Sequence, residues 1–277
     1  MNITHIIKSH ATQDGAGVNI KRIAGFSDPL LDPFLMIDQL KSTHSRDFIA
    51  GFPAHPHRGI ETFTYMLSGA FEHQDQMGNK KAITAGNVQW MSTGRGVVHS
   101  EMPVADPIDG MHGFQIWLNM PAQHKMRVPQ YQDSTDHPLP QIEVHDGVHF
   151  KALAGQWFIE GKDVSSSITG LSAKAAIADV SMQANTSLSL ELKEYETVLV
   201  FIHSGALSQY SAGHCLVVDS QQTITLETSS ENAGILILAG QKIKEPIAHM
   251  GPFVMNTQAE LIQAVRDYQS GQFGEIV

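Results

Sequence analysis

Two alternating pairs inside residues 51–103 constrain this chain most: His55 and His57, then His99 and Glu101. Side chains two apart on an extended strand point to the same face, roughly 6.5–7 Å apart along the backbone. From there both can lean onto one ion. A second pair on a facing strand brings three imidazoles and one carboxylate around a common point. That N/O set suits a first-row metal of the non-heme iron type, with positions left open. Pro56 fixes its own φ and disfavours helix at His55, which supports an extended segment. Taken alone, His55-Pro56-His57 reads as a surface turn; His99 and Glu101 at matching spacing change that reading.

Between the pairs the sequence supplies a hairpin-rich sheet. Glu61-Thr62-Phe63-Thr64-Tyr65-Met66-Leu67 is β-branched and aromatic, while Met77-Gly78-Asn79-Lys80 and Ala85-Gly86-Asn87 are turns. Gly94 and Gly96 bring the backbone in close before His99. This is the layout of a cupin half-barrel, in which a His-x-His strand and a later His strand meet inside a jelly roll. Residues 48–128 alternate apolar runs with turns, and residues 130–140 are polar with two prolines. Strand-like runs then resume at Ile142–Val144, Val148–Ala152, Ala175–Val180, Leu188–Leu192, Thr197–His203, Cys215–Val218, Thr223–Leu226 and Ile235–Leu238. Thr257-x-x-Glu260 is a capping box, Leu261, Val265 and Tyr268 share a helical face, and Gly271 supplies the stop. The expected fold is all-β: two tandem cupin-type β-sandwich or jelly-roll barrels with a short C-terminal helix. The expected boundaries are 1–131 for a metal-binding domain, 132–140 for a linker and 141–277 for a degenerate domain without metal. His203 and His214 in the second half lack a spaced partner and read as structural histidines.

Phe52-Pro53-x-His55-Pro56-His57-Arg58-Gly59-x-Glu61-Thr62 resembles the first signature of the pirin family. Ala85-Gly86-x-Val88-Gln89-Trp90-Met91 with Gly94-x-Gly96-x-x-His99-Ser100-Glu101-x-Pro103 resembles the second. The similarity continues through Asp32-Pro33-Phe34-Leu35-Met36-x-Asp38, Met111-His112-Gly113-x-Gln115-x-Trp117 and Gly251-Pro252-Phe253-Val254-Met255-Asn256-Thr257, thinning between about 135 and 240. The resemblance implies His55, His57, His99 and Glu101 as the metal ligands. In ordinary cupins a glutamate placed like Glu61 ligates; here the resemblance assigns the carboxylate to Glu101 and puts Glu61 beside the site. Gln115 is a candidate for the pocket. Trp117 is expected mainly in the core, His73 at solvent, and Arg58 either paired with a carboxylate or solvated.

Ligand type alone does not choose among iron, manganese, cobalt, nickel, copper and zinc; the resemblance favours Fe(II). It further implies a quercetin 2,3-dioxygenase-like activity, the oxygen-dependent cleavage of a flavonol with release of CO, so that the partners are an aromatic, flavonol-like small molecule and O2. Glu101 is also the candidate base for the 3-hydroxyl proton. The alternative reading is an iron-redox-sensitive regulatory protein, like a transcriptional co-regulator, that meets a protein partner without turnover.

Composition narrows the classes. The 277 residues carry 18 Lys plus Arg against 28 Asp plus Glu, a formal net charge of -10, with no basic run longer than two. Direct nucleic-acid binding, which needs clustered cations, is therefore not expected. No signal-peptide core and no apolar run near 18–20 residues are seen, so a cytoplasmic protein without membrane contact is expected. The single cysteine, Cys215, sits in an apolar run and reads as a buried thiol.

Overall fold

A computed structural model describes residues 1–26, 28–104 and 110–276. Among the described residues it is mostly β with one α-helix, and the chain divides into two compact units built from interleaved segments. One unit comprises 11–28, 34–138 and 243–277; the other comprises 1–10, 29–33 and 139–242.

The first unit is a sandwich of a seven-stranded and a four-stranded sheet. The larger runs in the order Gln130–Asp133, Val88–Ser92, Ile60–Ser68, Met111–Asn119, Phe34–Ser42, Val18–Ala24 and His10–Asp14. The smaller runs Phe52–His57, Val97–Pro103, Ala70–Asp75 and Lys80–Thr84. Its apolar side chains include Val18, Leu40, Phe48, Met66 and Ile83, all buried.

The C-terminal segment completes this unit. Arg58, immediately after the His55–His57 pair, donates to Asp267 of the helix Gln258–Gln269 at 2.7 Å, and its guanidinium lies 4.6 Å from the centre of the Phe273 ring. Two glycines permit the approach. Gly59 has φ +80°, and a Cβ there would lie 2.1 Å from the Val254 carbonyl oxygen. Gly96 has φ +143°, and its Cβ would meet the Phe273 ring at 2.8 Å. The helix carries the expected capping box: Glu260 N–H donates to Thr257 Oγ1 at 3.3 Å, and Thr257 N–H to Glu260 Oε2 at 2.8 Å. Its packed face includes the expected one: Leu261 is buried, Val265 packs on the same cluster, and the partly exposed Tyr268 lies against Phe253 and Phe273. Ala264 and Asp267 are buried as well, Asp267 meeting Arg58.

The second unit centres on an eight-stranded sheet that includes Ile3–Lys8, His214–Val218, Thr197–Leu207, Ala233–Gly240, Ala176–Met182 and Val148–Ala154. Its interior is filled by apolar side chains, among them Phe150, Trp157, Val200, Leu216 and Ile237. His203 Nε2 pairs with Asp179 at 2.9 Å and His214 Nδ1 donates to the Ser211 carbonyl at 2.8 Å. Cys215 is fully buried, which pushes its thiol up to about 12.

The two-barrel architecture matches the expected fold class, but the compact units depart from boundaries at 1–131, 132–140 and 141–277. Strand Ile3–Lys8 pairs with His214–Val218, so the first residues pack with the second unit. Residues 243–277 pack with the first, through Arg58 and Gly59. The strand Gln130–Asp133, paired with Val88–Ser92, runs from the expected first domain into the start of the expected linker.

Candidate metal centre

The smaller sheet brings both pairs together on neighbouring antiparallel strands, within one sheet rather than across the sandwich. His99 lies directly opposite His55, and a register shift follows, so that Glu101 opposes Phe52. On the other side His99 faces Asp75 and Glu101 faces His73. The rings of His55, His57 and His99 have centroids 4.4–5.0 Å apart. One ring nitrogen from each lies within 4.8 Å of the others, and a second such group joins His73, His99 and Glu101. His57, His99 and Glu101 are buried, whereas His55 is half-buried.

Hydrogen bonds set the imidazoles for metal. His55 Nδ1 lies 2.8 Å from the Pro53 carbonyl and His57 Nδ1 lies 3.2 Å from the Pro252 carbonyl. A carbonyl only accepts, so each Nδ1 carries the proton and each Nε2 keeps its lone pair. Burial, and then the neighbouring imidazoles, hold His57 and His99 well below the usual histidine range, leaving the neutral ligand form. Both nitrogens of His99 are buried without a hydrogen-bond partner. Orphaned buried nitrogens are costly in a finished core; a cation bound to one of them removes part of that cost. The residues therefore fit a divalent metal.

Glu101 is held from the larger sheet. Its Oε1 accepts from Gln89 Nε2 at 2.5 Å and lies 3.0 Å from Thr64 Oγ1, whose hydroxyl also reaches Gln115 Oε1 at 2.6 Å. Gln115 and Trp117 both line a cavity of about 650 Å3, into which His55, His57 and Glu101 also open. Trp117 stands edge-on to His57 with centroids 5.0 Å apart, so its place is the cavity wall as well as the apolar cluster of Leu35, Ile60 and Val254.

Glu61 belongs to neither ligand group. It is fully buried, accepting from Arg127 Nη2 at 2.8 Å and Trp90 Nε1 at 3.1 Å, and this ion pair anchors its strand instead. His73 is not at solvent. It is fully buried, with Nε2 3.0 Å from Asp75 Oδ2 and its ring stacked on Tyr131 at 4.9 Å. The alternation Phe71, His73, Asp75 was the available signal: these three face inward on Ala70–Asp75. Gln89 also escaped sequence reasoning, since its role depends on Glu101 from another sheet. Arg58 is paired with Asp267 rather than solvated.

Comparison with known proteins agrees with this architecture. A family model described as Pirin matches residues 17–118, and one described as Pirin C-terminal cupin domain matches 177–274. A Vibrio cholerae protein named "Putative quercetin 2,3-dioxygenase" is 40% identical over 98% of this chain and 97% of its own length. Mouse "Pirin" is 30% identical over 98% of this chain and 93% of its own. A crystal structure of quercetin 2,3-dioxygenase from Acinetobacter baumannii superposes with a TM-score of 0.88 at 28% identity, covering 100% of this chain and 99% of that one. Fold, paired motifs and relatives across nearly the whole length agree: this chain belongs to the pirin family.

Proposed function

We propose that the protein is a metal-dependent flavonol dioxygenase, in which His55, His57, His99 and Glu101 hold iron(II) and the adjoining cavity holds the substrate. The observation that carries this reading is the joint presence of three converging imidazoles, a tethered carboxylate and a largely apolar cavity of about 650 Å3, a size suited to a small aromatic molecule. When bound, the metal would supply Lewis-acid and redox capacity at the open end of the site.

The chain's own residues perform the rest. Phe26, Phe114 and Trp117 give the cavity flat aromatic walls, which favour a planar substrate and exclude water from it. Glu101 is the acceptor for the 3-hydroxyl proton of the flavonol. Gln89 and Thr64 bind its Oε1, which fixes the carboxylate plane and leaves the second oxygen to accept the proton. In the overall reaction both atoms of O2 enter the cleaved product and carbon 3 leaves as CO.

The test is quercetin consumption with CO release by protein loaded anaerobically with iron and then exposed to oxygen. CO from the loaded wild type alone is expected. Metal-free protein and His57→Ala should both be silent, and His57→Ala should remain folded without binding iron. Equal turnover by His57→Ala would end the assignment. Stoichiometric iron without CO would favour a redox-sensing role with a protein partner.

A further inference from the structure

The inner face of the larger sheet carries a row of polar side chains where apolar ones are the rule. Its register pairs Gln89 with Thr64, Thr64 with Gln115, Gln115 with Asp38 and Asp38 with Arg22. Residues paired directly across strands share a face. Five consecutive strands thus present one continuous polar line. The parallel line Leu40, Gly113, Met66 runs on one side of it, and Met36 with Trp117 on the other. Apart from Gln89, all of these residues line the cavity.

The two ends of the line differ in chemistry. At Thr64 it reaches Glu101 and the metal ligands. Three strand spacings away, about 14 Å at roughly 4.8 Å each, it ends in a charged group. Arg22 there donates through Nε to Asp38 at 2.8 Å and also bonds Asp14. Asp14 is the most open member, its side chain 43% exposed against 22% for Arg22 and 7% for Asp38. One guanidinium against two carboxylates leaves this end with a net charge of about -1. Arg22 is bound by both acids, which push its guanidinium further from deprotonation.

We propose that Asp14, with Arg22 and Asp38 behind it, forms a distal subsite that receives neutral hydroxyl donors on the substrate ring remote from the metal. The substrate class is therefore an uncharged polyphenol, lying along the polar line between two apolar flanks, and not an aromatic acid. A carboxylate or sulfate at the far ring meets the surplus negative charge and loses its hydration, while the cation there, Arg22, is already bound by Asp14 and Asp38. A hydroxyl there gains a charge-assisted bond to Asp14. This subsite deepens the flavonol reading and rests on it for the orientation of the substrate.

Equilibrium binding tests it without turnover. Anaerobic iron-loaded protein is titrated by tryptophan fluorescence with quercetin, with the same flavonol lacking ring-B hydroxyls, and with a ring-B carboxylate analogue. Quercetin should bind about tenfold tighter than the unsubstituted flavonol, as expected for one charge-assisted hydrogen bond, and the carboxylate should bind weakest. In Asp14→Leu the hydroxyl preference should collapse to within about twofold, the unsubstituted ligand binding as before. Asp14→Asn, the gentler change, should narrow the penalty on the carboxylate. Wild type that ignores ring-B substitution, or an Asp14 variant that keeps the full preference, would overturn the subsite. Discrimination without CO in air would leave the subsite and remove the reaction; CO without discrimination would do the reverse.

Discussion

His99 shows how much of the site turns on a single side chain. A bound cation satisfies one of its two orphaned nitrogens, and the other then requires an acceptor. A candidate is His73, whose Nδ1 is also buried and unpartnered and whose ring centroid is 5.4 Å from that of His99. Asp75 binds His73 Nε2 at 3.0 Å and accepts three further bonds, from the N–H groups of Met77 and Asn79 and from Asn79 Nδ2. The carboxylate fixes the proton on Nε2 and leaves Nδ1 as a lone pair. No bond joins the two rings in the structure, and an Asp75–His73–His99 line should close only when metal takes the other His99 nitrogen, to orient that ligand as outer partners of metal-binding histidines do. Metal affinity measured by chelator competition should fall ten- to a hundredfold in His73→Phe and largely return in His73→Gln, which restores an acceptor. Equal affinities in all three proteins would refute the line. At this scale the proposed ligands were legible as a candidate set because period two writes their spacing directly into the sequence. His73 was not, since its neighbours resemble a turn and its significance comes from strands 25 or more residues away.

Single elements are held by contacts with distant parts of the chain. Lys125 is buried, and its Nζ donates to Gly59 O and Asn119 Oδ1 at 2.7 Å and to Val254 O at 3.0 Å. It joins the end of the histidine-bearing segment to the C-terminal strand. Burial lowers its ammonium to about 8, with Glu245 and Glu260 opposing. Lys125→Met removes the ammonium that three oxygens share, of which Asn119 Oδ1 also accepts from the Met120 N–H, and should cost about 3 kcal/mol in urea unfolding; an unchanged midpoint would contradict this role. The C-terminal helix depends on Arg58, which holds the Asp267 carboxyl below its ordinary value of 3.8. A carboxylate depressed in the folded state contributes stability above its unfolded pKa, and this is lost as pH falls through the folded value. The helix should therefore release below about pH 4, seen as faster hydrogen exchange over 258–269. Asp267→Asn should bring that release to neutral pH and, by leaving a buried guanidinium unpaired, cost about 3–5 kcal/mol. The capping box made the helix readable in advance. Its partner was not, because nothing local in the sequence links residue 58 to residue 267.

The interleaving of the two units has a consequence for how the metal centre is encoded. Sequence composition suggested a break near residues 132–140, and the two-barrel count follows from the runs of short strands on either side. Which segments complete which barrel depends on contacts, and those contacts carry residues 243–277 back to the first unit. There Pro252 sets the tautomer of His57, Val254 closes over Gly59, and Phe253 and Phe273 pack with Val98, one residue before His99. A chain ending at residue 138 contains every proposed ligand and lacks all of this support. Its His57 Nδ1 has lost its acceptor, Arg58 its carboxylate, and Val98 its apolar cover. Such a chain should bind cobalt(II) at least tenfold more weakly than the full protein, in line with the loss of outer support around a ligand, and should unfold at lower urea. Adding a peptide of residues 243–277 in trans should recover part of both losses, since it restores the missing contacts at an entropic cost of association. If the shortened chain binds cobalt as tightly as the whole, the metal centre is complete within the first half and the C-terminal segment is only a cover. If the peptide restores binding while Asp267→Asn in the peptide does not, the Arg58 ion pair is the contact through which the end of the chain shapes the site.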